Sequence, residues 1–231
     1  ANIYWNNSND VYDSFLDVKV VYTDKGDYAY LCTEGKSTDT THKAYFKKRV
    51  VHIYKLDTLY TDNTFACVNT IPGISYHNIL TFQNKNVAYL YGVGGKRNAL
   101  EIYDLSINPE KPFYLGGYLT YPEGYDHNHT GGENQSTINE LYIHDGVISD
   151  QFSGKNNHLQ GKILFFAACI NWTSIVVLDV TDPVNIQSLV TIVDPRFQNA
   201  VFGNYGIHHC WLIPNNEFLI AAAEMHTKNM F

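Results

Sequence analysis

Charge is scarce in this chain. Asp, Glu, Lys and Arg make up 17% of its 231 residues, below the quarter usual in soluble domains. The balance is acidic, at −7, and no basic stripe of the kind that marks a nucleic-acid binder is present. The densest basic stretch, Lys47-Lys48-Arg49, reads as a solvated loop. Long apolar runs are missing too. The longest, Ile163 to Ile170, falls well short of the ~18 residues of a membrane span and reads as a buried strand. No initiator methionine or signal peptide precedes Ala1, so the chain reads as processed or as a fragment.

Several chemistries lack their signatures. There is no G-x-S-x-G elbow and no H-E-x-x-H helix. Gly92-Val-Gly-Gly95 lacks the Lys-Ser/Thr of a phosphate loop and reads as a turn between strands. The four cysteines, Cys32, Cys67, Cys169 and Cys210, show no C-x-x-C spacing, which argues against a zinc knuckle. They allow three disulfide pairings. Cys32 and Cys169 lie in apolar strands, where buried free thiols fit equally well.

What is present is repetition. An apolar segment ending in a turn recurs as Val50 to Asp57, Ala99 to Ser106 and Ser174 to Thr181. The second and third continue into Asn108-Pro109 and Asp182-Pro183. Asp at such a turn accepts bonds from nearby backbone N–H groups, and Pro presets φ. A further strand follows each time: Phe65 to Ile71, Phe113 to Thr120 and Ile186 to Val193. Two strands precede each copy. They are Phe15 to Tyr22 with Tyr28 to Thr33, then His77 to Phe82 with Val87 to Val93. For the third copy they are a segment around Glu140 to His144 with Ile163 to Ile170.

Four consecutive antiparallel strands are a propeller blade. The expected fold is therefore all-β, a β-propeller of four-stranded antiparallel blades. A fourth unit begins at His208 to Pro214 and Phe218 to Ala223. The count is about three and a half blades in one partial domain, residues 1–231. Propellers close with about four to eight blades, so a fragment of a larger propeller is expected. Sustained helical periodicity is absent.

Residues 121–161 interrupt the rhythm as an insertion loop rich in Gly, Asn, His and Ser. The spacing of acidic turns lengthens there, from 47 residues (Asp57 to Asp104) to 75 (Asp104 to Asp179). Two of the four N-glycosylation sequons lie in it. The acceptors are Asn6, Asn128, Asn134 and Asn171, which have meaning only in a secreted or cell-surface protein.

The first strands of the four units can be aligned on a polar residue: Asp17, His77, His127 and His208. In a propeller, equivalent innermost positions share one height around the central channel. Three imidazoles and a carboxylate suit a divalent metal such as zinc, iron or manganese, and a metal-dependent hydrolase is one expectation. The other is hydrogen bonding between neighbouring blades, with no metal and no reaction. For His144, His52 and His158 no partner is legible.

These residues carry a resemblance. Ile175-Val-Val-Leu-Asp-Val-Thr-Asp-Pro183 resembles the LVIVD repeat. The order of motifs is similar to the choice-of-anchor B family within that class. Leu16 to Val20 echoes its W-R-D-V-K-V, and Ser75 to Ile79 its S-x-H-N-I. Tyr125 to Asn128 echoes Y-x-H-D, and Tyr205 to Leu212 echoes Y-x-H-Q-G-W-L. The chain departs at Asn128, where the family is acidic, and at His209-Cys210, where it has Gln-Gly. The resemblance implies a secreted or surface-attached propeller and no particular reaction. The expected role is a glycosylated module for binding, adhesion or structural assembly. Its expected partners are extracellular glycans, surface proteins or copies of itself in an oligomer or filament.

Overall fold

Val, Ile, Tyr and Phe in runs bounded by Asp, Asn, Gly and Pro favour strands, and strands dominate. The computed structural model describes residues 12–35, 50–57, 59–62, 64, 66–71, 76–94, 99–118, 142–150, 152, 157–170, 174–193, 205–213 and 218–225. Sheet 1 comprises β1 (Tyr12–Thr23), β2 (Gly26–Gly35), β3 (Val50–Lys55) and β4 (Ala66–Ile71). Sheet 2 comprises β5 (Asn78–Gln83), β6 (Ala88–Val93), β7 (Leu100–Asp104) and β8 (Phe113–Tyr118). Sheet 3 comprises β9 (Ile143–Ser149), β10 (Leu164–Cys169), β11 (Ser174–Asp179) and β12 (Gln187–Val193). Sheet 4 pairs β13 (Tyr205–Leu212) with β14 (Leu219–Met225). In every sheet the strands lie in chain order, each hydrogen-bonded to the next. The fold is thus all-β, built from four-stranded antiparallel sheets.

The chain divides into two compact units. One unit is Ala1–Lys96 with Ile102–Tyr114, and the other is Arg97–Glu101 with Leu115–Phe231. The stretch 121–161, read as an insertion loop, also holds β9 and a 3-10 turn at Asn157–Leu159. Most of the rest of that stretch, His127 included, lies outside the described residues, as do Asn6, Asn128, Asn134 and Asn171.

A middle strand buried on both faces reads as a continuous apolar run. All six residues of β6, β10 and β11 are buried. In the first unit Tyr30, Cys32, Val51, Ile53, Tyr76 and Ile79 form the centre of the core. In the second, Leu164, Phe166, Ile175, Val177, Ile207 and Cys210 do so. Gly92 on β6 makes room for a ring: a Cβ there would stand 2.3 Å from Tyr76. The Tyr76 hydroxyl meets that of Tyr103 at 2.9 Å. Gly92 and Val93 thus belong to the strand, and the expected turn begins at Gly94, with φ 68°.

One device recurs where the third strand ends. The N–H of Leu56, Leu105 or Val180 donates to the carbonyl of Asp27, Ala88 or Ile163, at 2.8 to 2.9 Å. An oxygen one residue further on takes the N–H of that same partner. Asp57 Oδ1 accepts from Asp27, Ser106 Oγ from Ala88 and Thr181 Oγ1 from Ile163, each at 2.9 Å. In sheets 2 and 3 an aspartate two residues earlier orients that oxygen's residue. Asp104 accepts the Ser106 N–H at 2.7 Å, and Asp179 accepts the Thr181 N–H at 3.1 Å and its hydroxyl at 2.6 Å. Sheet 1 has Lys55 at that place, paired with Asp57 at 3.4 Å. Gly26 (φ 128°) clears the way, because a Cβ there would meet the Asp57 oxygens at 2.7 Å.

Asp179 also receives Lys162 at 2.5 Å, with its side chain only 12% exposed. Burial alone would raise its carboxyl; the bonds from Lys162 and Thr181 outweigh burial and hold it below the usual range. A carboxyl lowered by folding stabilises above its unfolded pKa, and the contribution fades as pH falls through the folded value. Asp179→Ala is therefore expected to cost about 1.5–3 kcal/mol at pH 7, read by urea unfolding. The gap to wild type should narrow in acid, and an undiminished gap at pH 3 would refute the assignment. Gly92→Ala is expected to cost about 1–3 kcal/mol by overpacking. That penalty should shrink in a Tyr76→Ala background if the ring is what the glycine admits.

Candidate functional site

The innermost strands carry the sequence-predicted ring, and their registers show which residues correspond. Pairing of β1 with β2 skips from Phe15 to Asp17, leaving Leu16 as the extra residue of a bulge. Pairing of β9 with β10 skips His144, and pairing of β13 with β14 skips His208. In sheet 2, His77 donates its N–H to the Val93 carbonyl at 2.9 Å, although Val93 is already in register with Asn78. Leu16, His77, His144 and His208 therefore hold one place in their sheets. Asp17, Asn78, Asp145 and His209 hold the next. Bulges of this kind re-aim side chains.

This differs from the alignment read in the sequence. Asp17 stands one position beyond His77 and His208, and the imidazole of sheet 3 at this place belongs to His144. The signal for it was present. Tyr142-Ile-His-Asp145 spells Y-x-H-D with its acidic residue intact, and it leads into a strand.

In the first unit these positions join inner strands. Asp17 is held by Lys19 Nζ at 2.5 and 2.6 Å, and it accepts the Val18 N–H at 2.8 Å. Its Oδ2 reaches the Ile79 N–H of β5 at 3.3 Å. At the other end of the same two strands, Gln83 accepts the Tyr22 N–H and donates to the Tyr22 carbonyl. Cys32 Sγ donates to the Tyr76 carbonyl at 3.1 Å.

The inner strands of the second unit bring together His144, Asp145, His208 and His209. His144 Nδ1 lies 3.0 Å from the His208 carbonyl. A carbonyl only accepts, so this nitrogen carries the proton. The rings of His144 and His208 lie with centroids 3.9 Å apart. One residue along, His209 Nδ1 meets Asp145 Oδ2 at 2.8 Å. A carboxylate that orients an imidazole is half of a nucleophile-activating arrangement. The strand's own thiol, Cys210, does not complete it. Its Sγ donates to the Phe166 carbonyl at 3.1 Å, and burial, then the charge of Asp145, push the thiol up to about 12.

All four cysteines are free thiols, three of them buried and Cys67 exposed. Burial pushes Cys169 up to about 12 as well. Among the described residues, no three His, Cys, Asp or Glu side chains are grouped so as to hold one metal ion. No helix among the described residues is long and apolar enough to cross a membrane. The arrangement can do one thing plainly: fix the inner strands of neighbouring sheets to each other.

His209 and Asp145 are partly exposed, with side chains 35% and 22% accessible, so solvent screens their attraction. A double-mutant cycle with His209→Gln and Asp145→Asn is expected to give a coupling of about 0.5–1 kcal/mol in urea unfolding. Strict additivity would remove the pair from the account of how β9 and β13 are joined.

Compared with known proteins, the chain matches no family model, no curated protein and no solved structure.

Proposed function

We propose that the sheets are successive blades of a β-propeller, and that the chain is a non-catalytic binding and assembly module of a secreted or cell-surface glycoprotein. The proposal includes kinship with the LVIVD-repeat, choice-of-anchor B proteins. Three sheets with the same strand order and the same closing turn support the blade reading. So does the tie between neighbouring inner strands, made in the first unit by Asp17 and the Ile79 N–H and in the second by His144 with His208 and Asp145 with His209.

One observation carries the assembly reading. The second strand of a sheet is buried throughout in β6 and β10. The corresponding β14 is exposed from Ile220 to Ala223, although its sequence, Leu-Ile-Ala-Ala-Ala, is as apolar as theirs. Among the described residues its outer edge has no strand beside it. The outermost β12 also exposes Leu189, Val190, Ile192 and Val193. Exposed apolar edges invite an added strand, and a second copy of the chain can supply one. A hydrolase built on Asp17, His77, His127 and His208 draws no comparable support, because Lys19 already neutralises Asp17.

Light scattering on the purified protein tests this. Self-association is expected, and Ala221→Pro is expected to weaken it about tenfold or more by removing an edge N–H and distorting the strand. A strictly monomeric protein, or association indifferent to the proline, would overturn the assembly reading. Expression through a secretory pathway should attach glycan removable by glycosidase. Asn128→Gln with Asn134→Gln should reduce the mobility shift.

A further inference from the structure

Every sheet has two faces, and the repeat shows what each face meets. On the innermost strands, the place after Asp17, Asn78, Asp145 and His209 belongs to Val18, Ile79, Gly146 and Cys210. The place after that belongs to Lys19, Leu80, Val147 and Trp211. Successive places point to opposite faces of the sheet. On the face of the later place, sheets 1 and 3 receive the sheet that follows them. Tyr30 lies opposite Lys19, and Phe166 opposite Val147. Tyr30 shares a core with Ile79 and Leu90 of sheet 2. Phe166 shares a core with Cys210 of sheet 4, and Leu212 and Leu219 pack against it. Ile79 and Cys210 hold the earlier place, so sheets 2 and 4 rest on sheets 1 and 3 by the face that carries it. Two separate cores thus follow one rule.

Two faces remain at the ends of the series. In sheet 4 the receiving face carries Trp211, with Ile220 opposite it and Ala222 two residues further along β14. All three are exposed, Trp211 by 60%. In sheet 1 the resting face carries Val18 and Val20, both exposed, Val18 by 53%. None of these five side chains is charged. Each chain therefore presents, uncovered, both halves of a contact that it builds twice within itself.

We propose that copies of the chain join head to tail, sheet 4 of one copy receiving sheet 1 of the next as sheet 3 receives sheet 4. The occupant of each exposed face is then the opposite face of a second copy. Such a contact is heterologous, because each copy offers two different surfaces, and it closes a ring or extends a filament. The inference rests on the assembly reading and names the faces that meet in it.

The test is sedimentation velocity on the full chain with Val18→Glu and Trp211→Glu. Each variant alone is expected to associate about tenfold or more weakly than wild type, because a carboxylate would have to be buried in the contact. Mixed in equal amounts, the two should recover one junction. Val18→Glu keeps an intact sheet 4 face and Trp211→Glu an intact sheet 1 face, so a mixed dimer is expected and nothing larger. A monomeric wild type would end the assembly reading and this inference with it. Single variants that associate like wild type, or a mixture no more associated than its components, would overturn this inference alone. If circular dichroism shows that either variant has lost its fold, Val18→Gln and Trp211→Gln take their places, with the same outcomes.

Discussion

The bond that each complete sheet depends on joins the end of its third strand to the start of its second. Two backbone partners and one side-chain oxygen make it, on Asp57, Ser106 or Thr181. A four-stranded antiparallel sheet needs its register set somewhere, because a slip of one residue would turn every side chain to the wrong face. The oxygen sets it at the boundary where the ladder would otherwise fray. Once it is in place, Leu164 to Cys169 and Ser174 to Asp179 lie in register along their full length. The apolar residues of both strands are then all delivered to the interior.

The strands were legible because burial on both faces leaves a run with no polar interruption. Leu164 to Cys169 is such a run. The outer strands show the limit of that signal: Gln187 to Val193 carries Leu189, Val190, Ile192 and Val193 and is wholly exposed. Hydrophobicity alone does not say whether a neighbour covers a strand. The closing turn was legible in outline, but its acidic residues were not equivalent. Asp57 was counted with Asp104 and Asp179 when the spacing was measured, yet it does the work of Ser106 and Thr181. A carboxylate and a hydroxyl can accept the same N–H, so residue type misled where position would not have.

The inner strands were harder to read, for a physical reason. A bulge adds one residue without interrupting the strand, so an alignment by residue type drifts by one. Asp17 was matched to His77 when Leu16 is its true counterpart. The imidazole of sheet 3 was sought at His127, which lies outside the described residues. The place is filled by His144, whose strand begins at Ile143. What these positions do follows from what they touch. Lys19 and the Ile79 N–H occupy Asp17, and His209 occupies Asp145. Asp17 thereby meets its own strand and β5, and Asp145 meets β13.

The joints have a mechanical property of their own. Two strands tied at one point can swivel about it. Strands tied at two or more separated points cannot. Between β9 and β13 there are bonds at His144 to His208 and at Asp145 to His209, and the Cys210 thiol holds β13 to β10. Between β1 and β5 the bonds stand at opposite ends, Asp17 at one and Tyr22 with Gln83 at the other. Each pair of inner strands is thereby set in angle as well as in distance. Within each unit a displacement of one strand drags its partner as a rigid lever, and strain at a sheet's rim reaches its innermost strand without being lost in rotation.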